Sequence, residues 1–215
     1  MFYQMDFLVK TKKIFKLLFR NYVWEIPTHE KVVYLTFDDG PTPEITNWVL
    51  SELAKYNAKA TFFCIGENVK KHPELYKSLS EKKHSVGNHT FNHLNGWKTS
   101  IDSYIENSVA AEIILNSIQK PQSLLFRPPY GKIKLDQSRR LRKMGYKIIM
   151  WDVISFDFDE STTQEKCLRN VLDNISPGSI IVFHDSLKAF NNLEFVLPKT
   201  LAHLEENGYS CKALF

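Results

Sequence analysis

Val32-Val33-Tyr34-Leu35-Thr36-Phe37-Asp38-Asp39-Gly40-Pro41 is the stretch on which the fold turns. An apolar, partly β-branched run of this length reads as a buried strand. Two adjacent carboxylates stand at its end, and a Gly-Pro turn stops it. Adjacent aspartates repel each other, and the repulsion costs stability unless a cation or a proton relieves it. A helix N-cap before Glu44 explains one aspartate, not two. A metal ion that takes one and leaves the other as a base relieves the repulsion and supplies chemistry.

Outward from this strand the pattern repeats. Apolar, β-branched or aromatic runs occur at Val32–Phe37, Ala60–Ile65, Ser85–Asn88, Ser123–Phe126, Lys147–Trp151 and Ser179–Phe183, with a weak last one at Ser210–Leu214. Amphipathic stretches lie between them: Glu44–Lys55, Pro73–Lys82, Ile101–Ile118, Leu135–Met144, Thr162–Asn174 and Leu193–Glu206. Gly145 and Asn207-Gly208 suit helices that end in a left-handed residue. Buried strands alternating with helices predict a parallel α/β architecture. About seven strands, with no glycine-rich phosphate loop after the first, favour a barrel-like arrangement over a nucleotide-binding sheet. The site is then expected at the C-terminal ends of the strands.

Five loops follow those ends. Asp38 and Asp39 occupy the first. His89-Thr90-Phe91-Asn92-His93 forms the second, and two histidines four apart converge on one metal when the backbone turns. Asn88 and Thr90 offer side chains to orient the imidazoles. Asp39, His89 and His93 make a two-histidine, one-carboxylate set that suits zinc, with cobalt, nickel, manganese or iron as substitutes. In Arg127-Pro128-Pro129-Tyr130-Gly131 the prolines stiffen the loop and remove amide hydrogens. The Tyr130 N–H is the next one free for a reacting oxygen, and Arg127 can clamp a carboxylate; a rigid surface turn is the plain alternative. The fourth loop, Trp151 to Asp159, mixes aromatics and acids as a sugar-binding rim does. His184, leaving a buried strand beside Asp185, is a candidate general acid.

Composition narrows the function classes. The chain has 215 residues, 43% of them hydrophobic, and a formal charge of +4. That excess sits in residues 1–24, where Lys10, Lys12, Lys13, Lys16 and Arg20 face only Asp6; the remainder balances at 23 basic against 23 acidic. A nucleic-acid-binding face is therefore not expected. Cys64, Cys167 and Cys211 are scattered and form neither a disulfide framework nor a zinc cage, which points to a reducing compartment. No apolar run reaches the length of a membrane span. Residues 1–28 carry no recognisable secretory signal and read as a basic amphipathic arm, with Phe15, Leu18 and Phe19 on one side. A helix packed on the domain is the expectation for this arm, and contact with a membrane surface is the alternative. A cytoplasmic location, peripheral to a membrane if the arm binds one, follows. Residues 29–215 are assigned to the main domain.

Taken in order, these motifs resemble the polysaccharide deacetylases with the NodB homology domain, carbohydrate esterase family 4. The resemblance runs from Val32 to the C-terminus and rests on Thr36–Pro41, the H-[ST]-x-x-H pattern of His89–His93, Arg127–Tyr130, part of Trp151–Phe158, and Val182–His184. It implies a distorted (β/α)7-type barrel with a divalent metal, zinc first among them, on Asp39, His89 and His93. It further implies Asp38 as general base oriented by Arg127, His184 as general acid, and the Tyr130 N–H as oxyanion donor. The implied reaction is hydrolysis of N-acetyl groups on N-acetylglucosamine polymers or oligomers. An O-acetyl esterase acting on xylan and a small-amide hydrolase are the alternatives on this scaffold, and a non-catalytic carbohydrate binder is the rival of another class. Trp97, Tyr130, Trp151 and Phe156 favour stacking on a sugar face. Ile154 departs from the pattern, since many relatives have an aspartate there to support the catalytic groups; Asp152 or Asp157 would have to replace it.

Overall fold

The computed structural model describes residues 9–215. β1 (Val32–Asp38), β2 (Ala60–Cys64), β3 (Ser85–Asn88), β4 (Leu125–Phe126), β5 (Lys147–Ile148), β6 (Val153–Ile154) and β7 (Ile180–His184) form a parallel sheet in the order β5-β4-β3-β2-β1-β7-β6. A short β8 (Ser210–Cys211) pairs with the start of β1. The helices are α1 (Lys13–Leu18), α2 (Ile45–Lys55), α3 (Gly66–Lys71), α4 (Pro73–Glu81), α5 (Ile101–Ile118), α6 (Leu135–Lys143), α7 (Gln164–Leu172) and α8 (Phe190–Glu206). Gly145 and Gly208 do take left-handed backbone after α6 and α8.

The edge strands of this sheet, β5 and β6, are neighbours in the chain. Seven strands laid flat would put them about 29 Å apart. The five steps from Ile148 to Val153 reach at most about 18 Å. The sheet therefore has to curl: the alternating pattern predicts a barrel-like arrangement, and the result is the distorted (β/α)7 half-barrel that the resemblance implies. One expectation fails here. The run Lys147–Trp151 is not one strand: Ile149 donates to Phe126 on one edge, and Asp152 donates to Ile180 on the other. The chain crosses the seam without a turn, so no turn residue marks the break. α3 was also not predicted, because six residues are too few to show a helical period.

Side chains alternate across the curled sheet. Val33, Leu35 and Phe37 of β1 face the helices, where Phe37 stacks between Phe62 and Phe183 with ring centres 5.1 and 5.8 Å apart. The opposite face holds a second core with Phe63, Phe126, Ile148, Ile180 and Val182. Thr36 and Asp38 share that inner face, as does His184.

The arm closes the seam. Met150 donates to the Val23 carbonyl and Val23 to Ile148 at the β5 edge, while Thr11 donates to Asp152 and Ile154 to Val9 at the β6 edge. Residues 1–8 of the expected arm lie outside the described residues. The expected helix is short, and its apolar side chains do not pack on the domain: none of its residues is buried. Lys16 turns inward instead, because the buried Asp152 carboxylate accepts its ammonium at 2.6 Å and that of Lys10 at 2.7 Å.

Candidate active site

The strands deliver the site residues to one level. Asp38 and His184 are register partners at the ends of β1 and β7. Asn88 and Phe126 pair at the ends of β3 and β4, so His89 and Arg127 leave together. Asp38, Asp39, His89, His93, Tyr130 and His184 line one cavity of about 460 Å³, with Trp151, Ile154, Phe156 and Phe158 as its apolar wall. Arg127 lies beneath it, fully buried. Trp97 is exposed and not part of the lining; Lys132 sits between it and Tyr130, 5.5 and 5.9 Å from the two ring centres.

Backbone geometry concentrates here. Asp39, Thr90, His93, Tyr130 and Phe156 all have positive φ, a conformation that non-glycine residues hold only when their surroundings fix it. Two contacts fix Asp39. Asn68 donates to its carbonyl at 2.8 Å, and the next residue, Gly40, donates to the buried Asp185 carboxylate at 3.1 Å. A Cβ on Gly40 would stand 2.1 Å from Asp185 Oδ2, so that position must be glycine. Thr46 at the start of α2 donates to the same carboxylate at 2.5 Å. Burial and the nearby Asp39 push Asp185 up to about 8 against its hydrogen bonds. Asp185 is a brace that the sequence showed only as the neighbour of His184.

Asp39, His89 and His93 present ligand atoms within 4.8 Å of one another. His89 Nδ1 donates to the Arg127 carbonyl at 2.7 Å, and His93 Nδ1 meets the Tyr130 hydroxyl at 3.0 Å. Each ring thereby offers Nε2 to Asp39 Oδ1, at 3.5 and 3.2 Å. That oxygen is buried and has no hydrogen-bond partner, which is costly for an anion unless a cation fills the gap. Burial and His89 push His93 down to about 4, so its imidazole is neutral, the form that binds metal, at neutral pH. The set fits a divalent ion of the zinc type. Asn88 and Thr90 do not orient the imidazoles as expected. Asn88 braces the loop backbone, donating to Ser108 and Tyr146 and accepting from the Thr90 N–H; Thr90 accepts from Leu94. The imidazoles are held from the Arg127–Tyr130 loop instead.

Arg127 Nη1 donates to Asp38 Oδ1 and Thr36 Oγ1, both at 2.7 Å, while Nη2 reaches the Met150 carbonyl at 2.9 Å and Nε that of Ile149 at 3.3 Å. The guanidinium lies 4.1 Å from the centre of the Phe63 ring. Thr36 and these carbonyls, with Asp38, are the hydrogen-bond partners of the guanidinium. Neither Asp152 nor Asp157 reaches Arg127: Asp152 is bound to Lys10, Lys16 and Ser179. Asp157 serves the acid side. Its Oδ1 accepts from His184 Nδ1 at 2.8 Å and from Ser155, and its Oδ2 accepts the His184 amide. Burial lowers the His184 pKa, but the charge and hydrogen bond of Asp157 outweigh it and raise the group to about 9. This pairing was one of two options in the sequence, because 27 residues separate the partners.

A profile of the polysaccharide deacetylase family matches residues 25–149. The chain belongs to the polysaccharide deacetylase family. A peptidoglycan-N-acetylglucosamine deacetylase of Bacillus cereus is 35% identical over 189 residues, covering 86% of this chain and 87% of the relative. A second protein of that name from the same organism is 36% identical over 165 residues; the match takes in 77% of this chain and 60% of that longer relative. The crystal structure of a peptidoglycan N-acetylglucosamine deacetylase in complex with an N-hydroxybenzamide superposes with a TM-score of 0.86 at 33% identity, over 93% of this chain and 94% of the other. In this polysaccharide deacetylase the family's motifs thus converge on the barrel mouth, with Ile154 in its wall.

Proposed function

We propose that this polysaccharide deacetylase hydrolyses N-acetyl groups on N-acetylglucosamine residues of a poly- or oligosaccharide, with zinc as its metal. One observation carries the reading: a base–arginine pair and an acid–aspartate pair flank a three-ligand cluster inside one cavity. A divalent ion on Asp39, His89 and His93 would supply polarisation of the acetyl carbonyl and a water of lowered pKa.

The chain's own residues do the rest. Asp38, fixed by Arg127 and facing the cavity, takes a proton as water attacks the carbonyl carbon. The Tyr130 N–H, carried on a loop stiffened by Pro128 and Pro129, donates to the oxyanion. His184, held through Nδ1 by Asp157, presents Nε2 and gives its proton to the departing amine as the carbon–nitrogen bond breaks. Acetate and a free amino sugar leave. Tyr130, Trp151, Phe156 and Phe158 offer ring faces to the pyranose.

The test is mass-spectrometric detection of acetate from N-acetylglucosamine oligomers, peptidoglycan fragments and acetylxylan, with and without chelator. Release from the first two that stops on chelation is expected; release from acetylxylan alone would replace the amide reading with the ester one. Asp38→Asn should retain one zinc and lose about 10²–10⁴-fold in turnover. Normal turnover in that variant would remove Asp38 from the role of base.

A further inference from the structure

α1 is inside out. Lys16, one of its two lysines, points into the protein, bonding Asp152 at 2.6 Å and pairing with Glu25. Residues 14, 15, 17 and 18 lie on the opposite side of a 3.6-residue turn, and Ile14, Phe15, Leu17, Leu18 and the following Phe19 are exposed at 54, 45, 69, 66 and 36%. A surface helix normally buries its apolar face. Here the buried carboxylate fixes the other one, and the largest cluster of exposed apolar side chains among the described residues is held toward solvent. Contiguous patches of this kind mark a partner surface.

Charge identifies the partner. Lys12, Lys13 and Arg20 are exposed around the patch, and residues 9–24 contain no acidic side chain. Tyr22 and Trp24, half-buried against the inner core, border the patch, with the Phe19 and Tyr22 rings stacked at 5.8 Å. Apolar anchors with a basic rim and flanking Tyr and Trp fit the interface of an anionic bilayer. Among the described residues no helix is long and apolar enough to cross a membrane. We propose that the outer face of α1 docks the protein peripherally on an anionic phospholipid surface. Lys10 of the same arm bonds the Asn174 carbonyl and Ser176 before β7, at the opposite end of that strand from His184. Thr11, which leads into α1, donates to the Asp152 carbonyl, and the Asp152 amide donates to Ile180 at that same end, so α1 starts from the end of the sheet away from the catalytic mouth.

The experiment is co-sedimentation of the full chain with vesicles of phosphatidylcholine alone or with phosphatidylglycerol added, at low and high salt, alongside light scattering. The protein is expected to pellet with the anionic vesicles and to be released by salt. Leu17→Ser combined with Leu18→Ser should weaken binding about tenfold or more, and Lys12→Gln with Lys13→Gln should reduce binding to anionic vesicles selectively. Both variants keep the cavity, so acetate release from soluble oligomers should not change. Absence of vesicle binding overturns the proposal. So does a wild-type dimer that the leucine variant converts to monomer, which would assign the patch to a second copy of the chain. Vesicle binding is read without substrate, so its failure and a failure of the deacetylase reading are separate results.

Discussion

His93 and His184 stand at the mouth of one barrel, and their neighbours drive them in opposite directions. Burial and His89 keep His93 neutral, whereas the Asp157 carboxylate keeps His184 protonated up to about 9. A raised pKa means that the acid form is present below about 9 and is lost as pH rises through that value. Deacetylation should therefore fall on the alkaline side near 9. In Asp157→Asn the ring loses its main charged partner, burial is opposed only by the charges of Asp39 and Asp38, and the alkaline limb should move down from about 9 toward the ordinary histidine value of about 6.5. A pH–rate profile checks this, and an unmoved limb would mean that another group carries the proton. Tyr130 acts on the neutral histidine. Its hydroxyl fixes Nδ1 of His93 at 3.0 Å, and partners of that kind are worth about 10–100-fold in metal affinity. Tyr130→Phe keeps the backbone N–H and should weaken zinc binding within that range by competition titration with a chromophoric chelator. An unchanged affinity would show that the ring is positioned without the hydroxyl.

At the scale of elements, the seam between β5 and β6 depends on the arm. Asp152 is buried between them and accepts from Lys10, Lys16 and Ser179. The same segment carries the Ile149 and Met150 carbonyls that hold Arg127. Burial alone would raise the Asp152 pKa, but its lysine and serine partners outweigh burial and lower it. A lowered carboxylate pKa contributes stability above the unfolded-state value, and that contribution is lost as pH falls through the folded one. Asp152→Asn should cost about 1–3 kcal/mol at neutral pH, less than a fully buried pair because both lysines are partly exposed. Urea unfolding should show that difference unchanged down to about pH 4 and shrinking in stronger acid. A variant as stable as wild type at neutral pH would mean that main-chain pairing alone holds the arm.

At the scale of the molecule, the barrel and the five loops were legible because strand ends carry chemistry in parallel α/β folds, and Asp38, His89, Arg127 and His184 each follow or end an apolar run. The unread features share a cause: they are contacts between distant segments. The inversion of α1 depends on a carboxylate 136 residues beyond Lys16. The imidazoles are oriented from a loop 37 and 38 residues further on, where neighbours in sequence had suggested Asn88 and Thr90. β6 went unseen because its pairing partner, not its own residues, defines it. The same non-locality makes the metal cluster a reporter of folding. Asp39 and the two histidines come from loops after β1 and β3 and meet only when β2 lies between those strands. An ion that binds this assembly and not the unfolded chain stabilises it by about 2.7 kcal/mol at a free concentration one hundred times Kd. For a chain of this size that corresponds to roughly 5–10 °C in Tm. Calorimetry with and without zinc should show the rise in wild type and in His184→Ala, whose ring is outside the ligand set, and lose it in His93→Ala. An equal rise in His93→Ala would mean that the ion lodges elsewhere, and the orphaned Asp39 oxygen would then need a different partner.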